Sequence, residues 1–155
     1  MLIREVSENR REYMPLLLLA DEQESMVERY IDRGTMYVLE EEGAVRAECV
    51  VTDEGNGILE IQNLAVDEQY QRHGYGREMI RFIAGRYQDE YSTLRVCTGD
   101  SPLTVPFYER CGFTTYDITR NYFLEHYDHP IYEGGRQLKD RICMKMDLEG
   151  RKDGR

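Results

Sequence analysis

A glycine-rich turn between a strand and a helix limits the fold more than any other part of the chain. Ile58 to Val66 is apolar and β-rich, as expected of a strand. The polar hexapeptide Gln71 to Gly76 follows, and apolar residues then recur at helical spacing from Met79 to about Tyr87. Thr93 to Thr98 is again typical of a strand. A strand, a helix and a strand in this order predict two parallel neighbours, the fourth and fifth strands of the chain.

The other predicted elements surround this unit. Pro15 predicts a short or kinked helix, because proline removes a backbone hydrogen bond inside a helix. A second helix is expected to begin at a cap on Asp21 and to end at Gly34, and a later one to be capped by Ser101 and distorted by Pro106. The ranges are strands Leu2–Val6, Thr35–Glu40, Ala44–Thr52, Phe113–Thr119 and Gln137–Leu148, and helical segments Glu8–Ala20 and Pro102–Cys111.

These elements predict an α+β fold: a mixed, mostly antiparallel seven-stranded sheet flanked by helices. Within the fourth strand, alternation places Ile58, Glu60, Gln62 and Leu64 on one face and Leu59, Ile61, Asn63 and Ala65 on the other. The 155 residues, 41% of them hydrophobic, fit one domain. We expect that domain to span residues 1–148, with a polar tail over residues 149–155.

The charge of the chain argues against some classes of partner. A formal net charge of −10 disfavours nucleic-acid binding, which depends on cationic side chains. The surplus is consistent with cationic partners and equally with a solvated surface. No export signal is seen at the start, and the longest apolar run, Met14 to Ala20, is far shorter than a membrane span. A cytoplasmic protein without membrane contact is expected.

The cysteines and histidines, which often mark a metal or redox site, are not spaced as such a site requires. The four cysteines are dispersed, so we expect reduced core cysteines; they are Cys49, Cys97, Cys111 and Cys143. His126 and His129 lack regular metal-ligand spacing, and no metal is expected.

The hexapeptide has the properties of an anion site. A tight glycine turn at a helix amino terminus offers main-chain N–H groups and a favourable dipole to a phosphate. Arg72, Arg77 and Arg81 add positive charge around the first helical turn. A nicotinamide motif would need glycine at Met79, and a phosphate-binding P-loop would need a Gly-Lys-Ser/Thr ending. A tight turn with nothing bound remains the alternative.

Three segments resemble the GNAT superfamily of N-acetyltransferases: Leu64–Asp67, Gln71–Gly76 and Phe107–Phe113. The resemblance covers roughly Leu2 to Leu148. It implies a sheet splayed between strands four and five, with acetyl-CoA in the opening. By the same resemblance, main-chain atoms of strand four hold the pantetheine arm, and amides from Arg72 to Arg77 hold the pyrophosphate. The cofactor-binding residues so implied are Leu64, Ala65, Val66, Gln71, Arg72, His73, Gly74, Tyr75, Gly76, Arg77 and Ser101.

The resemblance also implies catalytic roles. Tyr108 is at the family's position for the acid that protonates the leaving thiolate, and a phenol stays protonated near neutral pH. Glu60 is at the position where some members carry a general base; the alternative is a strand glutamate that faces solvent or is paired with an arginine. The N–H of Val66 is the implied oxyanion donor. Ser101 replaces an asparagine found in many relatives, and Pro106 puts the approach of Tyr108 in question.

The predicted function is transfer of an acetyl group from acetyl-CoA to a primary amine by direct attack. The acceptor stays open between a small amine, a polyamine, an amino sugar and a protein amino group. The alternative is a noncatalytic acyl-CoA-binding regulatory module. The aromatic and acidic segment Arg120 to Arg136 is interpreted as an acceptor-pocket wall or as a solvated connection. A homodimer is expected from the family alone.

Overall fold

A seven-stranded sheet forms the centre of the protein in a computed structural model that describes residues 1–149. Its strand order is β1-β2-β3-β4-β5-β9-β6, and every pairing is antiparallel except that of β4 with β5. This confirms the predicted mixed sheet. The strands are β1 (Leu2–Val6), β2 (Thr35–Glu41), β3 (Ala44–Gly55), β4 (Ile58–Val66), β5 (Thr93–Gly99), β6 (Thr114–Thr119) and β9 (Arg141–Asp147).

Helices cover both faces of the sheet. The helices are α1 (Met14–Ala20), α2 (Glu24–Val27), α3 (Tyr75–Tyr87), α4 (Val105–Arg110) and α5 (Tyr122–His126), with short 3₁₀ turns at Arg10–Tyr13 and Glu68–Tyr70. One core lies under α1 and α2 and includes Leu17, Val27 and Val38. The other lies under α3 and α4 and includes Ile61 and Met79. Within residues 1–149 no helix combines the length and apolar character needed to span a membrane.

The first predicted helical segments are shorter than the sequence suggested. Pro15 is in the first turn of α1, where a proline costs no helical hydrogen bond, so the helix is short and not kinked. The second helix is a single turn with Gln23 at its N-cap. The prediction that Asp21 caps it is wrong, because the Asp21 carboxylate accepts hydrogen bonds from two tyrosines instead.

The helix that carries Tyr108 also begins later than predicted. Residues 102–104 form a turn, and α4 begins at Val105 with Thr104 at its N-cap. Ser101 therefore does not cap the helix; its hydroxyl accepts a hydrogen bond from the N–H of Leu103 at 3.0 Å. Pro106 is in the first turn of α4, so the predicted distortion of a helix interior is wrong.

The segment after β6 is more ordered than a simple connection. It contains α5 and a small hairpin of β7 (Tyr132–Glu133) and β8 (Arg136–Gln137), whose strands pair only with each other. The seventh strand of the main sheet begins at Arg141, so the predicted range Gln137–Leu148 is too long. Of the predicted tail, residues 150–155 lie outside the described residues.

A β-bulge at Gln62 changes which side chains share a face of β4. Val51 of β3 opposes Ile61, but its neighbour Val50 opposes Asn63, so Gln62 is an extra residue. Ile61 and Leu64 consequently both pack in the core under α3, whereas Asn63 contacts α1 on the opposite face. The prediction that Asn63 and Ala65 share a face with Ile61, and Leu64 with Glu60, is therefore wrong. Strict alternation fails because one extra residue reverses it.

Two of the four cysteines are joined by a disulfide bond. Cys97 of β5 and Cys143 of β9 are directly opposite each other, with Cα atoms 4.0 Å apart. The prediction of four reduced cysteines is wrong for this pair, whereas Cys49 and Cys111 are free thiols. The sequence does not reveal the pair, because sheet register brings together residues 46 positions apart.

Candidate active site

The two parallel strands separate halfway along β4. Ile58 to Ile61 pair with Thr93 to Val96 of β5, and the pairing stops there. Leu64, Ala65 and Val66 remain paired with β3 on their other side. The predicted splay between strands four and five is thus confirmed, and this part of β4 has no strand beside it on the β5 side.

A cavity of about 800 Å³ occupies the opening, within the range of roughly 300–1,000 Å³ that is usual for small-molecule sites. One wall is β4 from Glu60 to Val66, and the opposite wall is β5 from Arg95 to Gly99. Tyr108 and Gln71 also line it, as do side chains of α1, α2 and α5. The opening in the sheet, the glycine loop and the predicted acid therefore meet at one site.

The glycine loop is shaped by left-handed backbone at two positions. Arg72 has φ of 69° and Gly74 has φ of 84°, and Gly74 is the N-cap of α3. The first N–H groups of α3 lack partners inside the helix, as in any helix, and are available to an anion. A Cβ atom placed on Gly74 would have no protein atom within 4 Å, so open space lies beside it. The side chains of Arg72 and Arg77 are exposed at this end.

Gly76 lies where α3 packs against its neighbours, and its predicted contact with the cofactor stays a prediction. A Cβ atom at Gly76 would lie 3.1 Å from the ring of Phe107 and 3.7 Å from Val66. The missing side chain thus permits close packing of α3 on α4 and β4. Of the two glycines in the hexapeptide, Gly74 adjoins open space and Gly76 does not.

The other residues of the hexapeptide mostly secure the loop. Gln71 donates a hydrogen bond to the carbonyl oxygen of Val66 at 3.1 Å, and His73 contacts the carbonyl oxygen of Tyr70 at 3.1 Å. The phenol of Tyr75 donates to Glu41 and accepts from Arg46 at 2.6 Å. Any contact of Tyr75 with a phosphate would therefore come from its main chain.

Tyr108 combines access to the cavity with burial. It is 7% exposed and packs edge-to-face on Phe107 and Phe113, with ring centroids 5.1 and 5.6 Å away. Burial raises the pKa of the Tyr108 phenol well above its ordinary value, and nearby Cys49 and Cys111 add to the rise. The phenol therefore carries its proton across the physiological pH range, as a general acid must.

Glu60 lies in the cavity wall in an ion pair. It is 4% exposed; Arg95 Nε donates to Glu60 Oε1 at 2.5 Å, and Arg141 Nη2 lies 3.9 Å from Oε2. This position is buried, so a solvent-facing Glu60 is wrong. A position in the cavity wall fits a general base, and the ion pair with Arg95 fits the arginine-paired alternative. Its base role stays a prediction, and its carboxylate is already engaged by guanidinium groups.

The hydroxyl group of Ser101 makes hydrogen bonds to other residues of the protein. It is buried, and besides its contact with Leu103 its hydroxyl hydrogen-bonds the carboxyl group of Glu133. A contact between Ser101 and the cofactor stays a prediction.

Sequence reasoning missed a polar network at the α1 end of the cavity. Asp21, Tyr30, Asn63 and Tyr127 all line the cavity and are joined by hydrogen bonds. Asn63 gave the one available signal, a polar residue in an otherwise apolar strand. The bulge that turns it toward Tyr30 had no recognisable pattern.

Comparison with known proteins agrees with this architecture. The family model described as the acetyltransferase (GNAT) domain matches residues 32–115. The uncharacterized N-acetyltransferase YvbK of Bacillus subtilis (strain 168) is 31% identical over 143 residues, which is 91% of this chain and 92% of that protein.

Solved structures are similar over the same extent. The IAA acetyltransferase from Bacillus cereus ATCC 14579 has 32% identity and a TM-score of 0.87, covering 94% of this chain and 98% of that chain. A GNAT family acetyltransferase from Elizabethkingia anophelis, with acetyl-CoA bound, has 27% identity and a TM-score of 0.88, covering 94% and 97%. Since the family model matches more than half of the chain and a relative above 30% identity spans nine-tenths of it, the chain belongs to the GNAT acetyltransferase family.

Proposed function

We propose that this enzyme transfers the acetyl group of acetyl-CoA to a primary amine by direct attack. The observation that carries the proposal is the cavity between β4 and β5, which joins the unpaired side of Leu64–Val66 to Tyr108 and to Gln71 at the start of the glycine loop. The similar Elizabethkingia structure with acetyl-CoA bound supports the choice of donor.

The residues divide the chemistry among them. Main-chain groups of Leu64 to Val66 hold the pantetheine arm, and the N–H groups at the start of α3 hold the pyrophosphate. The amine nitrogen bonds to the carbonyl carbon while the N–H of Val66 stabilises the negative charge on oxygen. The carbon–sulfur bond then breaks, and Tyr108 donates its proton to the leaving thiolate. Glu60 accepts the proton lost by the amine, directly or through water.

The proposal is tested with a panel of amines and acetyl-CoA, by following thiol release and the mass of the product. We expect at least one primary amine to gain an acetyl group together with stoichiometric thiol release. Acetyl-CoA binding without acetylation of any amine in the panel would favour a binding module over a transferase.

Replacement of Gly74 tests the phosphate cradle. Gly74→Val is expected to weaken CoA binding by about tenfold or more, because a side chain would enter open space beside the α3 amino terminus and disfavour its left-handed backbone. Isothermal titration calorimetry with CoA measures the effect.

Gly43→Val is the matched control. Gly43, in the turn between β2 and β3, also has a positive φ, 78°, and no atom within 4 Å of a Cβ. It shares the backbone cost but adjoins no part of the cradle, so its CoA affinity should equal that of the wild type. Equal affinities for all three proteins would refute the cradle.

A further inference from the structure

Asp21 is a desolvated carboxylate in the cavity wall. Its two oxygens accept hydrogen bonds from the phenols of Tyr30 at 3.1 Å and Tyr127 at 2.9 Å. Burial raises the pKa of Asp21, and these hydrogen bonds and the more distant Arg29 offset only part of the rise. Among residues 1–149 no arginine, lysine or histidine forms a salt bridge with it. Asp21 is partly buried, and within the described residues its carboxylate is held by the two phenols and the N–H of Gln23 without a salt-bridge partner. Charges removed from water in proteins are normally paired with an opposite charge.

Three other carboxylates of the cavity lie near basic side chains. Glu60 is paired with Arg95 at 2.5 Å, and Glu54 with Arg33 at 2.8 Å. At the rim, Glu22 lies 3.9 Å from His129. Asp21 at the α1 end is thus a cavity carboxylate without a salt bridge among residues 1–149; Glu133, which is hydrogen-bonded to Ser101, is the other.

Asn63 supplies an independent observation at the same end. It is 3% exposed and lines the cavity. Its Nδ2 donates to the carbonyl oxygen of Leu17 at 3.0 Å and to the phenol oxygen of Tyr30 at 2.9 Å. Because the Leu17 carbonyl can only accept, this contact fixes the amide orientation and leaves Oδ1 as a buried acceptor without a donor. The end of the cavity therefore has acceptor capacity that its own residues leave unfilled.

Aromatic side chains complete the surroundings. Tyr122, Phe123 and Tyr127 line the cavity, and Phe123 stacks on Tyr127 with centroids 5.2 Å apart. Faces of aromatic rings attract ammonium groups. His126 and Arg29 are the cationic or titratable groups on this side, and neither contacts the Asp21 carboxylate closely enough for a salt bridge.

We propose that Asp21 is the cation-binding residue of the acceptor site, so that the acceptor is an amine that enters as an ammonium ion. The inference rests on the proposed function, since it concerns the second substrate of the same cavity. An ammonium group carries three donors and a positive charge, and it supplies both the counterion that Asp21 lacks and a donor toward Asn63. A neutral hydroxyl acceptor can supply the donor but not the counterion, and an anionic acceptor adds a second negative charge beside Asp21.

The test uses three probes of equal length that differ in charge: 1,4-diaminobutane, 1,4-butanediol and succinate. Calorimetry is performed on the enzyme saturated with CoA. We expect the diamine to bind the wild type at least about tenfold more tightly than the diol or the diacid. Asp21→Asn, which removes the charge but keeps the size of the side chain and one of its two acceptor oxygens, should lower diamine affinity about tenfold or more.

Two further variants separate charge recognition from folding. Glu22→Gln removes the neighbouring rim carboxylate, and its diamine affinity should stay within about twofold of wild type. Tyr127→Phe removes one hydrogen bond from Asp21 but keeps the charge, so diamine affinity should be retained or increased, whereas a purely structural role predicts a loss. Thermal melting confirms that each variant is folded.

The outcomes are distinct. A wild type that binds none of the probes or prefers the diol or succinate, or an Asp21→Asn variant with undiminished diamine affinity, overturns the proposal. CoA titrations of the same proteins report on the donor site alone: unchanged CoA affinity in Asp21→Asn is expected, and failure of the wild type to bind CoA would reject the proposed function instead.

Discussion

Tyr108→Phe is expected to lower kcat by about 100-fold or more, in the range of roughly 10²–10⁴ typical of losing a general acid. The change removes one hydroxyl from a ring held between Phe107 and Phe113, so the packing of α4 should persist. Burial raises the pKa of this phenol, which keeps its proton available for the leaving thiolate. CoA affinity, measured by calorimetry, should be unchanged, because the proposed role concerns proton transfer and not binding.

Tyr91→Phe is the matched control for this experiment. Its phenol donates to Asp53 at 3.1 Å at the far end of α3 from the glycine loop. The control should keep wild-type turnover. Full turnover in Tyr108→Phe would mean that Tyr108 is a packing residue.

The wild type is expected to lose folding stability as pH rises, and Glu48→Gln should remove this loss. Glu48 is fully buried on β3, opposite Ala65, and neither carboxyl oxygen has a hydrogen-bond partner of full geometry within the described chain. Burial raises its pKa well above the usual 4.5, and the nearby N–H of Ala65 offsets only part of the rise. Between 4.5 and the raised value, the folded state binds one proton more than the unfolded state. The free energy of unfolding should therefore fall by about 1.4 kcal/mol per pH unit as pH increases in this window.

The measurement is urea unfolding of wild type and Glu48→Gln from pH 4 to pH 9. Subtracting the two series removes the titration of the other groups. The difference in free energy of unfolding between the two proteins should be constant below the pKa of Glu48 in the unfolded chain. Above that pKa it should increasingly favour the glutamine variant. An infrared carbonyl band of a protonated carboxyl group, present in wild type within this pH window and reduced in the variant, is an independent check. A difference that stays flat throughout would show that Glu48 titrates as it does in the unfolded chain.

The elements that the sequence predicted correctly are those whose position depends on residues close together in the chain. The amino-terminal strand and the glycine turn into α3 follow from alternation, helical spacing and the backbone freedom of Gly74. Helix starts were less accurate, because Asp21 and Ser101 have capping side chains that hydrogen-bond elsewhere. The residue type shows that a side chain is able to cap a helix, but its actual hydrogen-bond partner depends on the packing of the fold.

In the candidate site too, some residues were predicted from the sequence and others depend on the packing of distant segments. The glycine loop and Tyr108 were recognisable because their segments carry the family signatures. Glu60 was placed correctly in β4, but its partner Arg95 comes from β5 through parallel pairing. Asp21 was interpreted as a cap, and its contact with Tyr127, 106 positions away, depends on where the segment after β6 packs.

The sequence by itself determined the mixed sheet and the phosphate-type turn, because strands, helices and tight turns have local sequence patterns, and its resemblance to a family suggested the donor. Only the tertiary structure decided the disulfide between Cys97 and Cys143, the reversal of faces at Gln62 and the uncompensated charge of Asp21. Those features depend on strand register and on burial, which are set by the packing of distant segments. The turn at Gly74 belongs to the proposed donor site, and the network around Asp21 to the proposed acceptor site.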